Sequence, residues 1–161
     1  EFGVLPRREY GAERRRGMIT LKQFLEHKGG EIWSVTSASS VLGALQKLAE
    51  KNIGALLVID EGKLVGILSE RDYARKVALV GKVSRDTAVK EIMTERVLYV
   101  RPDESIEDCM ALMTEKHFRH LPVIYKGEIL GMISIGDVVR IVISKQKFII
   151  AQLENYISGG R

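Results

Sequence analysis

Little in this chain of 161 residues could build a covalent or metal-bound framework. Cys109 is the only cysteine, which excludes an intramolecular disulfide and any thiolate-rich metal site. At helical spacing among apolar neighbours it reads as a small buried hydrophobe. His27, His117 and His120 lack the spacing of a zinc ligand set. No apolar run approaches the roughly 18 residues that span a bilayer, and no signal peptide opens at Met18. The expected location is the cytoplasm, with no membrane partner. Cys109 reads as part of a core helix and neither Ser69 nor Ser134 has a sequence-evident base, so no catalysis is expected.

Charge of one sign is also scarce where it would count. The net charge is +4, but Arg7, Arg8, Arg14, Arg15 and Arg16 all precede Met18, in a stretch without hydrophobic period. Residues 1–17 read as a vector-derived or otherwise non-native leader, with Met18 the expected native start. Counted from Met18, 20 basic residues face 18 acidic ones. Nucleic acid is therefore disfavoured as a partner.

What the chain does have is an internal repeat. Residues 35–77 align with residues 100–142 at a constant offset of 65, without a gap and with 13 identities in 43 positions. Among them Gly66, Ser69, Asp72 and Arg75 recur as Gly131, Ser134, Asp137 and Arg140. A unit of this size buries too little apolar surface to stand alone, so the two copies are expected to depend on each other.

Periodicity gives the elements of each copy. Ile19–His27 is a short helix ended by Gly29-Gly30, and residues 32–35 are extended. Val41, Leu45, Leu48 and Ala49 follow at helical spacing after the capping candidates Ser37 to Ser40. Ala55–Ile59 and Leu64–Leu68 form a hairpin about Asp60-Glu61-Gly62-Lys63, and a second helix opens at Ser69. In the second copy residues 97–100 are extended, a helix starts at Pro102-Asp103-Glu104, and a hairpin spans Leu121–Ile133. A final helix runs from about Ile135 to Ile157. The reading is α/β (α+β): two β-α-β-β-α repeats about a pseudo-twofold, each with a three-stranded sheet. Its segments are 18–81, a connector 82–94, 95–143, and a helical extension 144–161.

Each hairpin ends in Gly-x-x-Ser-x-x-Asp, as Gly66-Ile67-Leu68-Ser69-Glu70-Arg71-Asp72 and Gly131-Met132-Ile133-Ser134-Ile135-Gly136-Asp137. Ser-x-x-Asp before a helix is a capping-box variant, a purely structural role. The same geometry offers unpaired N–H groups to a phosphate and a carboxylate to ribose hydroxyls. Both readings are open at this point.

The element order, Leu121-Pro122-Val123, the Gly-Ile-Leu-Ser-Glu-Arg-Asp run and Val89-Lys90-Glu91-Ile92-Met93-Thr94 together resemble the cystathionine-β-synthase (CBS) domain pair, or Bateman module. The resemblance covers Leu21 to about Ile143. It implies a regulatory module binding AMP, ADP, ATP or NAD in clefts between its repeats, with S-adenosylmethionine ranked behind these. By the same resemblance Asp72 and Asp137 would hold ribose hydroxyls, with Ser69 and Ser134 beside phosphate or ribose. Ile53-Gly54-Ala55 and Phe118-Arg119-His120 would offer backbone and apolar contacts to adenine. Thr94, Trp33 and Leu98 would close the other side of each base.

The copies differ in their cations. Arg71 stands opposite Gly136, Arg119-His120 opposite Gly54-Ala55, and Leu57 opposite Pro122. If Arg71 and Arg119-His120 converge on Asp72, that site gains charge-assisted phosphate contacts and is expected to be the tighter one. The alternative is an interaction scaffold with degenerate ligand sites. The apolar final helix supports an interface, and the resemblance implies a homodimer that acts on a regulated protein partner.

Overall fold

The computed structural model describes residues 18–159. The expected leader, residues 1–17, lies outside them. In chain order the elements are α1 (Leu21–Lys28), β1 (Ser34–Val35), α2 (Val41–Lys51), β2 (Ala55–Asp60), β3 (Lys63–Ser69) and α3 (Glu70–Tyr73), which runs on as a π-helical segment, Ala74–Ala78. A 3-10 turn, Val89–Glu91, is followed by α4 (Ile106–Lys116), β4 (His120–Tyr125), β5 (Glu128–Ser134) and α5 (Ile135–Ser158). The described residues fall into two compact units, 31–98 and 18–30 with 99–159.

In the first unit, Ser40 caps α2 by accepting the Gly43 N–H at 3.0 Å, and Asn52 ends the helix in the left-handed region at φ 51°. Val41, Ala44 and Leu48 share the buried face that this spacing creates. Burial contributes about 1.5–3 kcal/mol each for Val41 and Leu48. They pack with Leu56, Val58 and Leu68 of the hairpin and with Val77, Val89 and Ile92. The hairpin turns on Glu61-Gly62, at φ 49° and 75°. Two positive φ values in a two-residue loop match the twist of the strands it joins, and glycine makes the second one cheap. Strand β1 adds in parallel, with Ser34 beside Leu57 and Val35 beside Val58.

The second unit repeats the hairpin around Lys126-Gly127, at φ 49° and 81°, with a register shift at Val123/Ile124 where the first has one at Val58/Ile59. Two expectations fail here. The second sheet has two strands, not three; residues 97–100 contribute one parallel bridge, Val100 to Val123. The cause is Pro122. Its counterpart Leu57 donates its N–H to Trp33 O at 3.2 Å, whereas proline has none to donate. The helix also starts later than expected, at Ile106 rather than around Pro102. Ser105 accepts the Asp108 N–H and Asp108 accepts the Ser105 N–H, both at 3.1 Å, fixing the cap there. Cys109 is fully buried. Burial, with Glu104 and Asp108 nearby, pushes its thiol up to about 12.

Each unit is completed by a strap outside the repeat. In the first, Val41 donates to Thr87 O at 2.9 Å, Val89 to Ser39 O at 2.8 Å and Lys90 to Ser37 O at 2.9 Å. In the second, Ile106 donates to Ile19 O at 3.1 Å, Leu21 to Glu104 O at 2.9 Å and Lys22 to Pro102 O at 3.0 Å. Residues 19–22 thus do for the second repeat what residues 87–90 do for the first. The strap of the second repeat precedes the first repeat in the chain.

Candidate functional site

The chemistry that the sequence singles out lies at two helix starts. At α3, Ser69 is extended and its Oγ accepts the Asp72 N–H at 3.2 Å. Asp72 Oδ2 accepts the Ser69 N–H at 3.0 Å and the Ser69 hydroxyl at 2.9 Å. Its Oδ1 accepts Lys76 Nζ at 2.9 Å and the Thr94 hydroxyl at 3.3 Å. Lys76 also reaches Ile92 O at 2.8 Å, tying the helix to the strap. Thr94 and Ile67 exchange both backbone hydrogen bonds, which sets Thr94 beside this carboxylate.

At α5 the box recurs, with Ser134 Oγ accepting the Asp137 N–H at 3.2 Å and Asp137 Oδ2 accepting the Ser134 N–H at 2.9 Å. Two cations are added. Lys28 of α1 lies 2.7 Å from Oδ2, and Arg140 lies 2.7 Å from Oδ1. Lys28 also donates to Met132 O at 3.0 Å. The Asp137 side chain keeps 4% of its surface in solvent, against 13% for Asp72. Burial pushes the Asp137 carboxyl up, but Lys28, the Ser134 N–H and Arg140 together hold it below its ordinary value.

The segments expected to contact a base lie beside these helix starts. Glu70 donates its N–H to Gly54 O at 3.1 Å, and Ile135 donates to Arg119 O at 2.8 Å. These bonds hold Ile53-Gly54-Ala55 and Phe118-Arg119-His120 next to the first turns of α3 and α5. They also correct an expectation. The first N–H of each helix, and the third, through its serine, are already spent, so fewer amides remain to hold a phosphate than helix ends in general offer.

His120 pairs with Ser134 across the hairpin. Burial lowers its pKa; Asp137 acts in the opposite direction, while Lys28 and Arg119 add to the lowering. Phe118 is exposed, and Arg71 is half-buried on α3. Trp33 is half-buried against the first core, with Lys51 Nζ 4.3 Å from its ring centroid. Leu98 is half-buried as the last residue of the first unit, outside any strand.

The carboxylate partners Lys76, Arg140 and Lys28 were not among the expected site residues. Lys76 stands four residues after Asp72 and Arg140 three after Asp137, both within helical reach. Only Lys28 has no local signal. Among the described residues no cluster of His, Cys, Asp and Glu could hold a metal ion, and no helix is long and apolar enough to cross a membrane.

The CBS-domain family model matches residues 31–79 and 89–144. The CBS domain-containing protein CBSX3, mitochondrial, of Arabidopsis thaliana is 39% identical over 137 residues; the match covers 82% of this chain and 66% of that protein, just under two thirds of its length. The crystal structure of CBS domain NE2398 matches with 51% identity and a TM-score of 0.76, covering 78% of this chain and 98% of that one. The CBS domain pair of protein MJ0100, in complex with 5′-methylthioadenosine and S-adenosyl-L-methionine, matches at 27% identity and a TM-score of 0.70. It covers 80% of this chain and 98% of that one.

Proposed function

Because this chain belongs to the CBS-domain family and carries the domain twice, we propose that it is a non-catalytic regulatory module of the cytoplasm that binds an adenine nucleotide, AMP, ADP, ATP or NAD, at its capped aspartates. The carrying observation is the pair of Ser-Asp boxes, which aims one carboxylate at matching places in two repeats. A carboxylate there can accept hydrogen bonds from two vicinal ribose hydroxyls. The adenosine-containing ligands of the MJ0100 domain pair support this ligand class. Asp72 is proposed as the principal site, since it is the more exposed carboxylate and, among the described residues, has one cationic partner against two for Asp137. Arg71, Arg119 and His120 are retained as phosphate-side candidates, and Trp33, Leu98 and Thr94 as base-side ones.

A thermal-shift panel of AMP, ADP, ATP, NAD and S-adenosylmethionine tests the reading. A ligand at 100 times its Kd adds about 2.7 kcal/mol of stability, a shift of several degrees. No response to any of them sinks it.

A second reading has its own support. Both carboxylates are already satisfied within their units, as they would be in a scaffold whose ligand sites have lapsed. On that reading the chain works as a homodimer that docks a regulated protein, and the panel stays silent while self-association persists.

A further inference from the structure

Lys145 of α5 pairs with Glu107 of α4 at 2.7 Å. Beyond it every residue from Gln146 to Ser158 is exposed. These turns are nevertheless apolar, with Ile150 at 52% exposure, Leu153 at 56% and Ile157 at 79%. An isolated helix this short is marginal in water, and one this apolar calls for a partner.

The pattern specifies the partner. Ile143, Ile150 and Ile157 recur every seven residues, and Val139, Gln146 and Leu153 recur four residues before each of the next. These are the a and d positions of a coiled-coil seam, apolar throughout except for Gln146. Lys147 and Glu154 then fall at e, and Val142, Ile149 and Tyr156 at g. In a parallel pair e faces g, which would set Lys147 and Glu154 against apolar side chains. In an antiparallel pair e faces e and g faces g. Lys147 then meets Glu154 of the second copy twice by symmetry, while Ile149 and Tyr156 extend the apolar side. The seam is self-complementary only in that orientation, as a twofold interface requires.

We propose that α5 beyond Lys145 pairs with the same helix of a second copy as an antiparallel two-stranded coiled coil. This deepens the homodimer reading above and is independent of nucleotide binding. Sedimentation of the full chain across a concentration series tests it. Ile150→Glu/Leu153→Glu gives a monomer that still melts cooperatively, its melting temperature lower only by the lost association energy. Glu154→Lys and Lys147→Glu each weaken association about tenfold at low salt, since each turns two attractions into two repulsions. The double variant Lys147→Glu/Glu154→Lys restores it. A dimer that survives Ile150→Glu/Leu153→Glu overturns the coiled coil and leaves the homodimer reading standing. Single charge reversals without effect, or a double variant without rescue, overturn the antiparallel pairing. A chain that is monomeric at every concentration overturns both readings.

Discussion

Lys28 donates to Asp137 at 2.7 Å, joining residues 109 positions apart in the chain. It occupies the carboxylate oxygen that also receives the Ser134 amide, so the second capping aspartate carries a cation where the proposed ligand would bring a ribose hydroxyl.

Replacing Lys28 with methionine removes that competitor and keeps the aliphatic stem. The expected outcome is a rise in nucleotide stoichiometry from one towards two per chain by isothermal titration calorimetry. Stability falls by about 1 kcal/mol, since the ammonium is partly solvated and Arg140 remains. Unchanged stoichiometry means that Lys28 does not gate the second site.

Asp72→Asn keeps the size of the side chain but halves its acceptor capacity. We expect at least tenfold weaker nucleotide binding, against a smaller loss for Asp137→Asn. Comparable losses would overturn the ranking of the two sites. Ser69→Ala, which removes the cap together with the hydroxyl that donates to Asp72, costs about 0.5–2 kcal/mol in chemical denaturation.

Acid acts on two groups in the second unit. His120 has a folded pKa below its ordinary 6.5, so the unfolded chain takes up a proton first and stability falls as pH drops below 6.5. Asp137 is held below its ordinary 3.8; its contribution is present above 3.8 and is lost as pH falls through the lower folded value. Melting temperature against pH should therefore decline in two stages. His120→Gln flattens the first and leaves the second; an unchanged first stage assigns it to another group.

Two glycines at matching places differ in tolerance. A Cβ on Gly66 would meet Met93 Sδ at 2.7 Å and the Thr94 carbonyl oxygen at 3.1 Å, whereas one on Gly131 would meet only the end of Leu25, at 2.8 Å. A backbone oxygen cannot rotate away as a leucine methyl can. Gly66→Ala should cost about 1–3 kcal/mol in denaturant titration and Gly131→Ala less. Because Gly66 abuts the residue that hydrogen-bonds Asp72, Gly66→Ala should also weaken nucleotide binding. Equal costs would show that the strap yields as readily as the leucine.

The elements were legible where a local rule decides them. Glu61-Gly62 and Lys126-Gly127 announce their hairpins, and Ser69 and Ser134 their helix starts, because turn and cap chemistry depends on a few adjacent residues. Ser105-Ile106-Glu107-Asp108 carries the same capping signature, which Pro102 obscured by being a good helix opener itself. The straps were harder to see. Thr20-Leu21-Lys22-Gln23-Phe24-Leu25 and Ala88-Val89-Lys90-Glu91-Ile92-Met93 are alike in pattern but lie 68 apart, not 65, so an ungapped comparison passes over them. The candidate carboxylates were legible and their cations were not. Lys28 reaches Asp137 only through the tertiary placement of α1, which no local spacing encodes.

The two straps also order events in time. Residues 31–98 form an unbroken stretch, so every segment of the first unit has been made before the second repeat begins. The helix α1 is synthesised earlier yet finds its partners, Glu104, Pro102 and Asp137, only after the whole first unit has emerged. Until then Leu21 and Leu25, both buried in the finished fold, have nothing of their own unit to cover them. A chain cut short before Ser105 would therefore hold every segment of the first unit and, ahead of it, an amphipathic helix with Leu21 and Leu25 uncovered, a ready substrate for a chaperone.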